Sequence, residues 1–243
     1  DRPFFLYLAH NLPHVPLFAG EEFRGRSARG LYGDVIEEID HGVGKILDTL
    51  REEGLAERTF VIFTSDNGPW LTFADHGGSA GLLRAGKGTT WEGGVRVPCI
   101  VWRPGTVPAG VIHHGLASTL DLFPTLVRLA GASLPSGVEL DGVDQSRMLL
   151  TAAESAREVV WYYRGTQLYA VRKGPFKAHF ITEGSYGGPA RKEHDPPLLY
   201  HLEHDPSEAY DVAASHPDVV AELKGLFDRQ REAVKPAASQ LEL

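Results

Sequence analysis

The order of apolar segments in the first 64 residues most constrains the fold of this chain. Residues 4–9 form a short, continuous apolar run, which predicts a strand buried on both faces. Apolar side chains then recur at helical spacing over residues 31–50 and stop before Gly54, which predicts an amphipathic helix. A second apolar run, residues 59–64, predicts another buried strand. Strand, helix and strand in this order predict a βαβ unit, a parallel sheet and an α/β fold.

The later part of the chain has a different pattern. Beyond about residue 139, four short strand candidates follow one another at hairpin-like spacing, and one helix is predicted over 217–233. The strand candidates are 159–163, 168–172, 176–181 and 198–202. We expect residues 1–150 to be the C-terminal part of an α/β core, with a mixed, largely parallel sheet flanked by helices. Residues 151–243 are expected to form a C-terminal subdomain, in which a small antiparallel sheet packs with one helix.

Composition and charge argue against several classes of protein. The 243 residues include 24 Lys and Arg against 32 Asp and Glu, a formal net charge of −8, and no basic run stands out. This charge argues against nucleic acid or an anionic membrane as a partner. No apolar stretch approaches about 18–20 residues, so no membrane span is predicted. The chain opens directly on a predicted strand, so we expect a chain that is cut in mid-domain and carries no signal peptide of its own.

The first candidate for chemistry is the sequence Ser65-Asp66-Asn67-Gly68, at the end of the second predicted strand. In open α/β sheets, ligands bind outside the carboxyl ends of the strands. A carboxylate beside an amide oxygen is a pair of hard ligands, suited to Ca²⁺ or Mg²⁺. Taken alone, the motif is better explained as a simple turn in which both side chains satisfy backbone groups.

The second and third candidates are single basic side chains in loops. Lys87 lies in a glycine-rich segment, residues 86–98, with the sequence GKGTTWEGGVRVP. Glycines on both sides let the backbone approach a ligand, so Lys87 could neutralise an anionic oxygen or protonate a leaving group. His14 lies between Pro13 and Pro16, in a restricted loop that suits a pre-positioned imidazole. Taken singly, each is more often an ordinary solvated side chain.

Together these motifs resemble the sulfatases, nearest to the arylsulfatase A-like branch of the alkaline phosphatase superfamily. The resemblance is carried by Asp66-Asn67-Gly68, by residues 86–98, by Pro13-His14-Val15-Pro16 and by residues 199–208, with the sequence LYHLEHDPSE. The order and intervals agree from Pro3 to about residue 230. Four motifs in register are far more specific than any one of them, and they reverse the simpler interpretations given above.

The resemblance implies a role for each matched residue. Asp66 and Asn67 match a pair of metal ligands, usually for Ca²⁺, with Mg²⁺ as the alternative. Lys87 matches a lysine that contacts the sulfate and assists the leaving oxygen, and His14 matches a histidine that contacts the sulfate. His179 resembles a position that lines the substrate site. The implied activity is metal-dependent hydrolysis of a sulfate ester, the substrate being a small molecule, a glycan or a lipid.

One part of the family pattern is missing from this sequence. Sulfatases use a formylglycine made from the first residue of a Cys/Ser-x-Pro-x-Arg motif, and no such motif occurs here. Cys99 is followed by Val101 where the motif needs proline, and it lies in a predicted apolar strand, which favours an inert core thiol. We therefore expect the formylglycine in a missing N-terminal segment, and expect the 243 residues alone to be inactive and to bind Ca²⁺ poorly.

Two alternatives to a working sulfatase remain open from the sequence. The first is a phosphate or phosphonate ester hydrolase of the same superfamily, because a metal pair does not distinguish sulfate from phosphate. The second is a truncated, non-catalytic sulfatase-like protein.

The single cysteine and the lack of Asn-x-Ser/Thr sites favour an exported protein, periplasmic or extracellular, over a lysosomal one. The sequence does not determine the natural substrate or the oligomeric state.

Overall fold

The computed structural model describes residues 2–235, which divide into two compact units. The first unit comprises residues 2–59 and 69–79, and the second comprises residues 60–68 and 80–235. The predicted boundary near residue 150 falls within the second unit and stays a prediction.

The first unit is built around one long helix, α1 (Gly30–Glu52), with 3₁₀ turns at Ala56–Arg58 and Leu71–His76. The predicted amphipathic helix is therefore confirmed, and Gly54, with φ of 64°, follows its C-terminal end. Asp34, near the start of α1, accepts backbone hydrogen bonds from Gly25 and Ser27, each at 2.8 Å. These bonds tie the preceding loop to the helix and hold the pKa of Asp34 below its usual range.

The strand predicted at residues 4–9 is not formed. This segment has no regular secondary structure, and its large side chains are exposed, Phe5 at 79% and Tyr7 at 81%. A strand exists only through backbone hydrogen bonds to a neighbour, and within residues 2–235 no strand pairs with this segment. The apolar pattern predicts a strand, but residues 2–235 supply no partner for it.

The second unit contains two antiparallel sheets and several helices. Its first sheet pairs β1 (Val61–Thr64) with β2 (Cys99–Trp102), and Thr64 lies opposite Cys99. The predicted parallel βαβ pairing is therefore not present in the described part of the chain. Between and after these strands lie α2 (Glu92–Val95), α3 (Leu122–Leu129) and α4 (Ser146–Thr151). Cys99 lies on a strand as expected, but it is exposed rather than in a core.

The C-terminal sheet and its helix agree with the sequence pattern. The strands are β3 (Val159–Arg164), β4 (Gln167–Lys173), β5 (Phe176–Thr182) and β6 (Lys192–His201), paired antiparallel in chain order. Helix α5 (Pro217–Ala233) packs on this sheet through buried Leu223 and Phe227. The Phe227 ring stacks on Phe180 of β5 with ring centroids 3.8 Å apart. The small antiparallel sheet with one helix is thus confirmed, as is the mixed α/β class.

No helix among residues 2–235 is both long and apolar enough to cross a membrane.

Candidate active site

The turn after β1 presents the two predicted metal ligands. Asp66 is exposed and Asn67 is half-buried. The Asn67 amide nitrogen donates to the Gly68 carbonyl at 2.9 Å, and the Ser65 hydroxyl donates to the Asn67 carbonyl at 3.1 Å. Because the amide nitrogen is used within the turn, the Asn67 side-chain oxygen is left as an acceptor, and the preceding residue, Asp66, carries a carboxylate. The turn can therefore offer two hard oxygen ligands.

These ligands fit a hard divalent cation in kind but supply only part of a coordination sphere. Ca²⁺ takes about six to eight oxygen ligands. Across residues 2–235, no group of three or more His, Cys, Asp or Glu side chains is arranged to hold a metal ion. Asp66 and Asn67 would thus contribute two ligands to a site that needs further oxygen donors.

Glycine contacts join this turn to the glycine-rich segment. The Gly68 amide donates to the Gly94 carbonyl at 3.0 Å. A Cβ atom at Gly68 would lie 1.8 Å from the Gly93 carbonyl oxygen, so no larger residue fits. Gly93 in turn donates to the Arg84 carbonyl at 2.8 Å. The Asp66–Asn67 turn and the segment that contains Lys87 are therefore held together by backbone contacts.

Lys87 lies in a tight turn of its own. The Thr89 hydroxyl and amide both donate to the Gly86 carbonyl, at 2.8 and 3.2 Å. Gly88, the residue after the lysine, has φ of 84°, a conformation that glycine adopts without strain. The Ser185 hydroxyl, from the loop between β5 and β6, donates to the Lys87 carbonyl at 2.7 Å. The backbone of Lys87 is thus held by hydrogen bonds within its own turn and by one from the loop between β5 and β6.

A buried ionic cluster anchors the far end of the glycine-rich segment. Lys177, on β5, is completely buried, and its ammonium lies 2.9 Å from the Glu92 carboxylate and 3.1 Å from the Glu208 carboxylate. It also donates to the Thr90 carbonyl at 2.7 Å. Three partners match the three hydrogens of the ammonium group. We call Glu92, Lys177, His179 and Glu208 the anchor cluster.

Both carboxylates of the anchor cluster are held in the charged state. Glu92 also accepts from Tyr162 at 3.1 Å and from Arg172 at 3.3 Å. Burial alone would raise the pKa of Glu92, but the charge and hydrogen bond of Lys177 hold that pKa below its usual range. For Glu208, burial is likewise outweighed by the His179 hydrogen bond and the Lys177 charge, so its pKa is also lowered. The cluster is therefore a paired set of charges inside the protein.

His179 completes this cluster as a neutral imidazole. It is fully buried, its Nε2 lies 2.8 Å from Glu208, and its ring packs on Trp91 at 4.2 Å between centroids. Burial lowers the pKa of His179 to about 4. The carboxylate can only accept, so Nε2 carries the hydrogen and Nδ1 is an acceptor, which has no partner among the described residues. The structure places His179 in the anchor cluster, and its contact with a substrate stays a prediction.

His14 belongs to the first unit. Its side chain is exposed, its Nδ1 lies 2.7 Å from the Val15 carbonyl, and its ring packs against Trp70 with centroids 5.4 Å apart. Asp66, Asn67, Lys87 and His179 all belong to the second unit. The role of His14 in binding an anion stays a prediction.

Sequence reasoning missed the charged members of the anchor cluster. Glu92 and Glu208 both occur in the motifs that carry the family resemblance, but no role was assigned to either. A signal was present in Lys177, a charged residue at the second position of the predicted strand 176–181. A charge at a buried strand position implies a buried counter-charge, although the sequence does not say which one.

The lowered pKa of His179 predicts a pH-dependent stability. Between its folded pKa of about 4 and the ordinary value of 6.5, the unfolded chain binds more protons. The free energy of unfolding should therefore fall as the pH is lowered from 6.5 towards 4, by up to about 3 kcal/mol from this residue. The two carboxylates, with lowered pKa values, lose their contribution only below about 4.5.

Urea unfolding of the full-length protein at a series of pH values measures this effect. In the variant His179→Gln, the free energy of unfolding should depend much less on pH between 6.5 and 4.5 than it does in the wild type. The control His113→Gln changes an exposed histidine and should keep the wild-type slope. Equal slopes in the wild type and His179→Gln would show that the imidazole is not held neutral by burial.

Comparison with known proteins identifies the family. The family model described as Sulfatase matches residues 1–132, more than half of the chain, and the model described as the C-terminal region of aryl-sulfatase matches residues 155–243. The chain is similar to arylsulfatase A of Homo sapiens, with 46% identity, 93% of this chain covered and 48% of that protein. It is also similar to N-acetylgalactosamine-6-sulfatase of Canis lupus familiaris, with 40% identity, 99% of this chain and 51% of that protein.

A solved structure agrees with these relatives. The crystal structure of PsFucS1 sulfatase from Pseudoalteromonas sp. superposes with a TM-score of 0.83, with 31% identity, over 90% of this chain and 46% of that chain. The chain spans about half the length of the curated relatives it matches. On the family-model matches, the chain belongs to the sulfatase family.

Proposed function

We propose that the full-length protein hydrolyses sulfate esters, and that this chain supplies one part of its active site. The observation that carries the proposal is the backbone junction between the Asp66–Asn67 turn and the glycine-rich segment of Lys87. Two hard oxygen ligands and a lysine whose backbone is held by hydrogen bonds suit a substrate with several anionic oxygens. Membership of the sulfatase family supports sulfate as the anion.

Lys87 has the chemistry that a leaving alkoxide needs. Negative charge grows on the bridging oxygen as the ester bond breaks, and a fixed ammonium group can stabilise that charge or donate a proton to it. Holding the Lys87 carbonyl through Ser185 limits the movement of the backbone that carries the side chain. We propose that Lys87 contacts the sulfate ester in this role, and that His14 contacts the sulfate group.

The metal role is a proposal about Asp66 and Asn67. These residues would hold Ca²⁺, or Mg²⁺, together with oxygen ligands from elsewhere in the full-length protein. When bound, such a cation polarises an oxygen of the ester group. The exposed Asp66 carboxylate would bind the cation, and the hydrogen bond from the Asn67 amide nitrogen to the Gly68 carbonyl leaves the Asn67 amide oxygen as the second ligand. Formylglycine in the full-length protein and an exported location stay predictions.

Turnover of a sulfate ester by the full-length protein is the test of the proposed function. Aryl sulfate should be hydrolysed, and the matching aryl phosphate should be hydrolysed more slowly. Lys87→Met should lower kcat for aryl sulfate by about 10²–10³-fold, as expected when one charge-stabilising donor is removed. Lys45→Met, an exposed lysine of α1, should leave kcat unchanged. A marked preference for phosphate, or an unchanged kcat in Lys87→Met, would contradict the proposal.

Calcium binding tests the ligand assignment independently of activity. Titration calorimetry on the metal-free, full-length protein should give at least about tenfold weaker Ca²⁺ binding in Asp66→Asn, because Ca²⁺ affinity depends on the number of charged ligands. Asp75→Asn removes an exposed carboxylate in the first unit and should bind Ca²⁺ as the wild type does. Equal affinities in the wild type and Asp66→Asn would remove Asp66 from the metal site.

A further inference from the structure

The loop between β5 and β6, residues 183–191, lies directly against the turn that contains Lys87. The Ser185 hydroxyl donates to the Lys87 carbonyl at 2.7 Å. The next residue, Tyr186, lies beside Gly88, since a Cβ atom built on that glycine would be 3.3 Å from Cε2 of the tyrosine ring. The ring of Tyr186 is therefore an immediate neighbour of the residue that follows the proposed catalytic lysine.

The loop holds Tyr186 in an unusual backbone conformation. Tyr186 has φ of 51°, in the left-handed region where a bulky side chain costs free energy. The surrounding loop enforces this conformation. Gly184 donates to the Pro189 carbonyl at 2.7 Å, Gly188 donates to the Ser185 carbonyl at 2.9 Å, and Arg164 of β3 donates to the Gly184 carbonyl at 2.8 Å. A glycine would meet the same backbone requirement without strain, so a tyrosine is not required here by the backbone conformation.

The tyrosine side chain is also exposed. Tyr186 is 51% exposed, although it is an aromatic residue in a braced loop. At the base of the same loop, Arg164 is paired to Glu183 at 3.2 Å. An exposed aromatic face can stack on ring-shaped molecules that have an apolar face and polar edges.

We propose that Tyr186 is a specificity-determining residue that stacks on the ring of the alcohol part of the sulfate ester, while Lys87 faces the sulfate end. This inference rests on the proposed function, because it assigns the alcohol part of the same substrate. The chemistry recognised is a flat ring with an apolar face, which either a pyranose or an aryl alcohol provides. The hydrogen bonds of the loop hold the backbone of Tyr186 in place before the substrate arrives, so little backbone freedom is lost on binding.

Steady-state kinetics of the full-length protein with galactose 6-sulfate and 4-nitrophenyl sulfate test the proposal. Tyr186→Ala should raise KM about tenfold for an ester whose ring stacks on Tyr186, with kcat within about twofold. Inorganic sulfate lacks the alcohol part, so its inhibition constant should not change. Tyr186→Phe keeps the aromatic face and should behave as the wild type. Tyr210→Ala, a 75% exposed tyrosine elsewhere in the second unit, is the matched control.

A further variant separates contact with substrate from a structural role. Tyr186→Gly relieves the positive φ, so its thermal unfolding midpoint should equal or exceed that of the wild type, while KM rises as in Tyr186→Ala. If KM rises with one ester alone, the ring of that ester is the kind that stacks on Tyr186. If KM rises with both esters, both kinds of ring stack on Tyr186. An unchanged KM with both esters, or a lower midpoint in Tyr186→Gly, overturns the inference. An inactive wild type would instead contradict the proposed function.

Discussion

The ion pairs of the buried Lys177 ammonium group are the interactions on which the arrangement of the second unit depends. A charge that is completely removed from water is tolerated only beside opposite charges and hydrogen-bond acceptors, and Lys177 has Glu92, Glu208 and Thr90 around it. Glu92 and Thr90 belong to the glycine-rich segment, whereas Lys177 belongs to the C-terminal sheet. The ion pairs therefore fix where this segment lies on the sheet, and with it the backbone of Lys87.

Close backbone packing carries this constraint from the anchor cluster to the proposed metal ligands. The amide of Glu92 donates to the Glu208 carboxylate at 2.7 Å, and the next two residues, Gly93 and Gly94, contact Gly68. Side chains at these glycines would separate the segments, so their small size is as necessary as the charges. The proposed roles of Asp66 and Lys87 thus depend on residues that contact no substrate.

Elements with a strong local pattern were predictable from the sequence, whereas pairings between distant residues were not. Helices α1 and α5 follow from helical periodicity, and strands β3 to β5 follow from short segments at hairpin-like spacing, because each element carries its own local pattern. The prediction of a strand at residues 4–9 was wrong because a strand requires a partner strand, which the local sequence pattern does not identify. The same reason explains the missed ion pairs, since Glu92 and Lys177 are 85 residues apart in sequence. Asp66, Asn67 and Lys87 were found as motifs, and the contacts that connect them required the structure.

Hydrogen exchange on the full-length Lys177→Met variant tests most directly whether the anchor cluster holds the glycine-rich segment in place. The amides of Glu92 and Gly93 are hydrogen-bonded to Glu208 and Arg84, and they report on this segment. We expect their exchange to accelerate at least about tenfold in the variant, while the amide of Val171 in β4 changes much less, because the opening is local. Equal exchange in wild type and variant, or an equal acceleration at all three amides, would contradict the account.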